Sequence, residues 1–359
     1  MPGPTTTREV IWRAGFAPAL VVALVLTSEA GPASQTPAPA SFPARFDRYL
    51  SAVIRPTARD RSRLLAGDPF TKLFDSDDVS EIAVFGAVWI HASPEQYVAA
   101  VRDIETYERG GAFHTTKRIS DPPRLEDFDA LTLSPAEVRD LRNCRVGDCK
   151  LKLDRATLDA VRTRVDFTKP TATGDAEAVI REHLFDEAAA YRAGGNAALP
   201  VYQDDARPRS VASEFEAMLG RMPEFTDWLP DLRAYLRGYP EATLPGAVDF
   251  LYWQNVSFGL KPTIRMSHVV IYRGPSGTVV ASKMLYASHY FRTGLEIRVL
   301  VPDPARGPGF WFVTVNSTRS DGLTGFIGFL LRGHVRSGVQ KGALSVLVAT
   351  KRKFEAEAP

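Results

Sequence analysis

From Ala247 onward the sequence takes on a period of two, and this constrains the fold more than any other feature. Phe250–Phe258, Ile264–Tyr272, Thr278–Phe291, Leu295–Val301 and Phe310–Asn316 are each rich in β-branched and aromatic residues. Turn signals separate them: Gly259 with Pro262, the Gly274 to Gly277 tetrad, Arg292 to Gly294, and the Pro/Gly-rich stretch from Pro302 to Gly309. Connections this short cannot carry a crossover, so neighbouring strands must run antiparallel and form a meander.

Other elements bracket the meander. Glu81 to His91 reads as a buried strand, and Ser93-Pro94-Glu95 opens a helix with Ser as N-cap and Pro at the first position. That helix is expected to reach about Glu108 and to stop at Gly110-Gly111. Phe113 to Ile119 and Asp148 to Leu153 are shorter strand candidates. Asp154 to about Thr243 reads as several helices, with Ile180, Leu184, Ala188 and Tyr191 along one apolar face. A final helix is expected from Ser320 to about Glu355. Gly325, Gly328, Gly333, Gly338 and Gly342 lie inside it, each costing up to about 1 kcal/mol relative to alanine. Such glycines let the helix approach a sheet closely, or leave room for something between them, or else mark a kink or break near Gly333.

The first 30 residues carry a secretory pattern. Arg8 and Arg13 precede the uncharged run Ala14–Leu26, and Ser28-Glu29-Ala30 places small residues at the cleavage positions. The run is too short to span a bilayer, and no later segment is apolar enough, so no integral span is expected after cleavage near Ala30. Residues 31–45 read as a Pro/Ala/Ser tether, 46–78 as an N-terminal helical segment, and 79–355 as one α+β domain with a helical insertion at about 154–243. The expected location is outside the cytoplasm, periplasmic or extracellular. There a Gly-Asp turn between Cys144 and Cys149 favours a disulfide, contributing about 2 kcal/mol by loop closure. Hydrophobic residues at 45% and charged residues at 24% are ordinary for a globular chain, and a formal charge of +2 with no basic stripe argues against nucleic-acid binding.

Strand alternation groups the candidate ligand-contacting residues. Met266, His268 and Val270 share a face with Ile264, and Ile297 and Val299 belong to the apolar face Leu295 to Val301. Tyr286, His289 and Tyr290 form a polar-aromatic cluster, and His268 is the polar group on an otherwise apolar strand face. The sequence contains no G-x-S-x-G, H-E-x-x-H, P-loop or G-x-G-x-x-G motif. Its histidines form no pair at metal-ligand spacing, and Asp75, Asp77 and Asp78 lack the glycine and glutamate of a calcium loop. No catalytic residue, metal or cofactor is therefore expected.

The order strand, helix, long meander and long C-terminal helix resembles the START/Bet v 1-like superfamily. The resemblance rests on VFGAVWIHASPEQYVAAVRDIETYERG and on Phe250 to Glu355. It implies an antiparallel meander gripping the C-terminal helix, the helix-grip fold, with the helical insertion as a departure. Three further stretches, PPRLEDFDALTLSPAEVRDLRNCRVGDCKLKL, FLYWQNVSFGLKPTIRMSHVVIYR and ASKMLYASHYF, resemble an uncharacterised family of exported bacterial proteins. The superfamily resemblance implies a hydrophobic small molecule, a lipid, sterol or similar, between sheet and helix. A hydrolase or lyase using a cavity His or Tyr, and an envelope scaffold binding a protein partner through the helical insertion, are the alternatives.

Overall fold

The meander forms, with one turn displaced: Arg292, Thr293 and Gly294 lie inside a strand, and the chain reverses at Ser288 to Tyr290 instead. β6 (Val248–Val256), β7 (Thr263–Gly274), β8 (Gly277–Ala287), β9 (Phe291–Pro302) and β10 (Phe310–Ser320) pair in succession, all antiparallel. β1 (Phe70–Leu73), β2 (Glu81–Ile90) and β3 (Phe113–Ile119) extend this sheet at its two edges, giving the order β1-β2-β10-β9-β8-β7-β6-β3. β2 docks on β10 from Phe310↔Ile90 to Arg319↔Glu81, so two segments far apart in the chain become neighbours. The computed structural model describes residues 41–223, 228–257, 261–322 and 325–356, with side chains of 325–331 excepted. The secretory pattern at Met1–Ala30 lies outside the described residues.

The helices follow local signals. α1 (Ala44–Tyr49) continues into a π-helical turn, Leu50–Ile54, and α2 (Ala58–Leu65) follows. α3 (Pro94–Arg102) starts on a reciprocal capping box between Ser93 and Gln96 and is followed by the short α4 (Ile104–Tyr107). α5 (Pro135–Arg142) starts the same way on Ser134 and Glu137. α6 (Arg155–Arg164), α7 (Ala172–Gly194), α8 (Val211–Leu219) and α9 (Pro230–Gly238) make up the helical segment, and α10 (Gly325–Ala356) ends the described chain. No helix among the described residues is long and apolar enough to cross a membrane.

Both faces of the sheet are covered, by different things. Val88, Ile90, Phe250, Val269, Ile271 and Phe312 pack against Tyr97, Val101 and Ile104 and against Leu347 and Phe354 of α10. Trp89, Trp253, Met266, Val270, Ile297 and Val299 face the opposite way, into a core completed by Ile180, Leu184 and Tyr191 of α7, Phe215 and Leu232. The face of α7 expected from its period is thus the one it buries. The larger apolar core lies under the helical segment rather than under the C-terminal helix.

Three local expectations are corrected. Asp148–Leu153 forms no strand; only an isolated bridge between Arg145 and Asp148 closes the turn in which Gly147 takes φ +85°. The tether does not extend through residues 42–45, because Phe42 is buried with its ring 5.0 Å from that of Trp311 and α1 already begins at Ala44. The N-terminal helical segment contains strand β1 as well. The outer edge of β1 is blunted by α10: Gln340 Nε2 donates to the Thr71 carbonyl at 3.1 Å and Arg336 to that of Phe74 at 3.2 Å.

Candidate functional site

The structure separates the expected ligand-contacting residues from the C-terminal helix. Met266, His268, Val270, Ile297 and Val299 lie on the sheet face beneath the helical segment, all buried, whereas Val269 faces the α10 side. The reason is geometric: alternation splits each strand into two faces, but here both are apolar, and the pattern does not say which one the last helix covers. Tyr286 is buried among His183 and Tyr202, with ring centroids 5.1 Å and 6.1 Å away. His289 and Tyr290 sit beyond the end of β8. His289 Nδ1 donates to the Lys150 carbonyl at 2.9 Å, and Tyr290, at φ +61°, accepts from the Lys261 amide at its hydroxyl. Cys144 and Cys149 are joined in a disulfide.

His268 anchors a closed polar network. Its Nδ1 lies 2.9 Å from the Tyr191 hydroxyl and its Nε2 3.5 Å from Asp249 Oδ1. Arg192 donates to Asp249 at 2.5 Å and to the Tyr239 hydroxyl at 2.8 Å. Lys283, on the adjacent strand, donates to Asn196 and lies over the rings of Tyr191 and Phe215. Burial pushes His268 down to about 4, against the pull of Asp249, and pulls Lys283 down to about 7. Both side chains are 0% exposed. With no opening at the imidazole or the amine, the arrangement fastens α7 and the Asn196 turn to the sheet.

An open groove of about 610 Å³ lies instead where the C-terminal helix meets the edge of the sheet. β1 supplies Phe70, Thr71 and Lys72, α10 supplies Gln340, Leu344 and Val348, and the segment entering α2 supplies Arg55, Pro56 and Thr57. Leu344 and Val348 are each 39% exposed and give the helix side of the groove an apolar wall. The opposite rim is cationic. Lys72 Nζ donates to the Ile54 carbonyl at 2.6 Å and Arg55 Nε to that of Ala52 at 3.1 Å, and among the described residues no carboxylate pairs with either. Asp60 also lines the groove and accepts from the Thr57 hydroxyl at 2.7 Å, and Arg63 adds a further cation, paired with Asp68 at 3.1 Å.

None of the groove residues stands out in the sequence. Arg55, Lys72 and Leu344 come from three separate segments, and only the docking of α10 beside β1 brings them together. No metal-ligand cluster lies at the groove among the described residues; the group that could hold an ion, Asp154 with His183 and Glu187, is elsewhere. No protein family, curated protein or solved structure matches the chain.

Proposed function

We propose that this chain is an exported carrier or sensor of an anionic amphiphile, a fatty-acid-like molecule, built on a divergent helix-grip, START-like plan. The observation that carries the proposal is the groove between β1 and α10, with Leu344, Val348 and Phe70 on its apolar wall and Arg55 and Lys72 on its rim. A volume of about 610 Å³ lies in the range of small-molecule sites. A carboxylate or phosphate headgroup would be met by Arg55 and Lys72, and each methylene buried along the helix would contribute about 0.8 kcal/mol. The order of elements supports the helix-grip plan, and the Cys144–Cys149 disulfide fits an oxidising compartment.

Titration with a fluorescent fatty acid and with a neutral sterol probe tests the proposal. The expected result is saturable binding of the fatty acid, weakened at least about tenfold, equivalent to about 1.4 kcal/mol, by Leu344→Glu or by Arg55→Glu with Lys72→Glu. The sterol should be insensitive to the rim charges. Absence of binding to the wild type, or wild-type affinity in both variants, overturns the proposal. Export is checked separately: the mature N-terminus should lie between about Gly31 and Gln35, and recovery of an intact, membrane-bound Met1 form would contradict it.

A further inference from the structure

Away from the groove, α6 and α7 share an apolar seam of Leu158, Val161, Val179, Ile180 and Leu184. At one end of this seam three side chains with metal-ligating atoms converge. Asp154 is the N-cap of α6, and His183 and Glu187 stand one turn apart on α7, so the helix projects them from one face. One donor atom from each of the three lies within 4.8 Å of the others. The three line a crevice of about 300 Å³ that also includes Thr157, Glu182 and Asp186.

The histidine is what distinguishes this group from an ordinary acidic patch. His183 is 6% exposed, its Nδ1 lies 2.9 Å from the Thr157 hydroxyl, and its Nε2 is buried with no hydrogen-bond partner. A buried, unsatisfied ring nitrogen is destabilising unless something binds it. Thr157 serves both neighbours, since its amide donates to Asp154 Oδ1 at 2.8 Å. One residue therefore fixes the cap carboxylate and the imidazole together, the kind of outer-shell support that orients metal ligands. Glu182 is neutralised by Arg164, but among the described residues no cation pairs with Glu187.

We infer that Asp154, His183 and Glu187 form a divalent transition-metal site, with His183 Nε2 and the two carboxylates as ligands and Zn²⁺ as the first candidate ion. A set of two carboxylates and one imidazole suits Zn²⁺ or Mn²⁺ better than Ca²⁺ or Mg²⁺, which favour all-oxygen surroundings. Ligand bonds of about 2.0–2.2 Å need the donors somewhat closer than they stand, a closure within reach of side-chain rotation at the carboxylates. The crevice leaves a further coordination position to water or to a small anion. Such an open three-ligand arrangement is that of a Lewis-acid site, in contrast to a closed structural one.

The test uses the full chain without an affinity tag, stripped with EDTA and then equilibrated with ZnCl₂. Bound zinc is counted by elemental analysis and affinity is measured by calorimetry. The expected result is one tightly bound Zn²⁺, with affinity lowered at least about tenfold by His183→Ala, Glu187→Gln and Asp154→Asn, the last keeping a good helix cap. Thr157→Val, which removes no ligand, should weaken binding about 10- to 100-fold. Glu182→Gln should not weaken it. Co²⁺ substitution should give visible d–d bands that disappear in His183→Ala. Circular dichroism establishes that each variant is folded. No stoichiometric zinc in the wild type, or zinc retained equally by folded His183→Ala and Asp154→Asn, overturns the inference.

Discussion

Leu347 of the C-terminal helix seats over Gly86 of β2: a side-chain carbon built on Gly86 would lie 3.1 Å from Leu347 Cδ1 and 2.9 Å from Thr314 Cγ2. The close approach of helix to sheet is therefore made by a glycine in the strand, whereas Gly333, Gly338 and Gly342 of the helix face open space. Gly86→Val should destabilise by about 1–3 kcal/mol, measured by urea unfolding, because Leu347 and Thr314 are themselves buried and have little space to move into. Gly338→Ala should act in the opposite direction, stabilising by up to about 1 kcal/mol through helix propensity alone.

The buried His268 makes stability depend on acid. Its folded value, about 4, lies below its ordinary 6.5, so between these values the unfolded chain binds the additional proton. The contribution is fully present above about 6.5 and is lost as pH falls through about 4, a span equivalent to about 3 kcal/mol. Unfolding free energies measured across that window should show a slope one proton smaller in His268→Gln than in the wild type. Identical slopes would argue against a neutral buried imidazole.

Lys283 makes an alkaline counterpart. Burial lowers its amine from 10.5 to about 7, so the unfolded state again binds more protons between those values, and stability should rise with pH from about 7 toward 10.5. Lys283→Met should abolish that rise, as measured by urea unfolding at pH values from 7 to 10.5, while keeping an apolar side chain over the Tyr191 and Phe215 rings.

The disulfide closes a short loop and should matter accordingly. Replacing Cys144 and Cys149 with Ala should cost about 2 kcal/mol, and alkylation of the native protein without reduction should label neither residue.

Much of the architecture is legible in the chain because it rests on local chemistry. The short connections between Phe250 and Asn316 dictate an antiparallel meander, although Arg292 to Gly294 extend β9 rather than turn, Ser93 caps α3, and the spacing of Ile180, Leu184, Ala188 and Tyr191 marks the buried face of α7. Cys144 and Cys149 are brought together by the turn between them. β1 is not legible, because Phe70–Leu73 is four residues long and acquires strand geometry only by pairing with β2.

What the sequence could not determine was which surfaces meet. Val269 and Val270 are equally apolar neighbours, yet one joins the core that includes Leu347 and the other the core that includes Tyr191 of α7, and only the docking of helical layers on a two-faced sheet assigns them. The same holds for the sites. His183 and Glu187 share a helix face by spacing, but Asp154 joins them only because α6 packs on α7, and Leu344 meets Arg55 and Lys72 only because α10 lies beside β1. Local periodicity sets where each side chain points from its own element; the burial of apolar faces against one another, summed over the whole chain, decides what it points at.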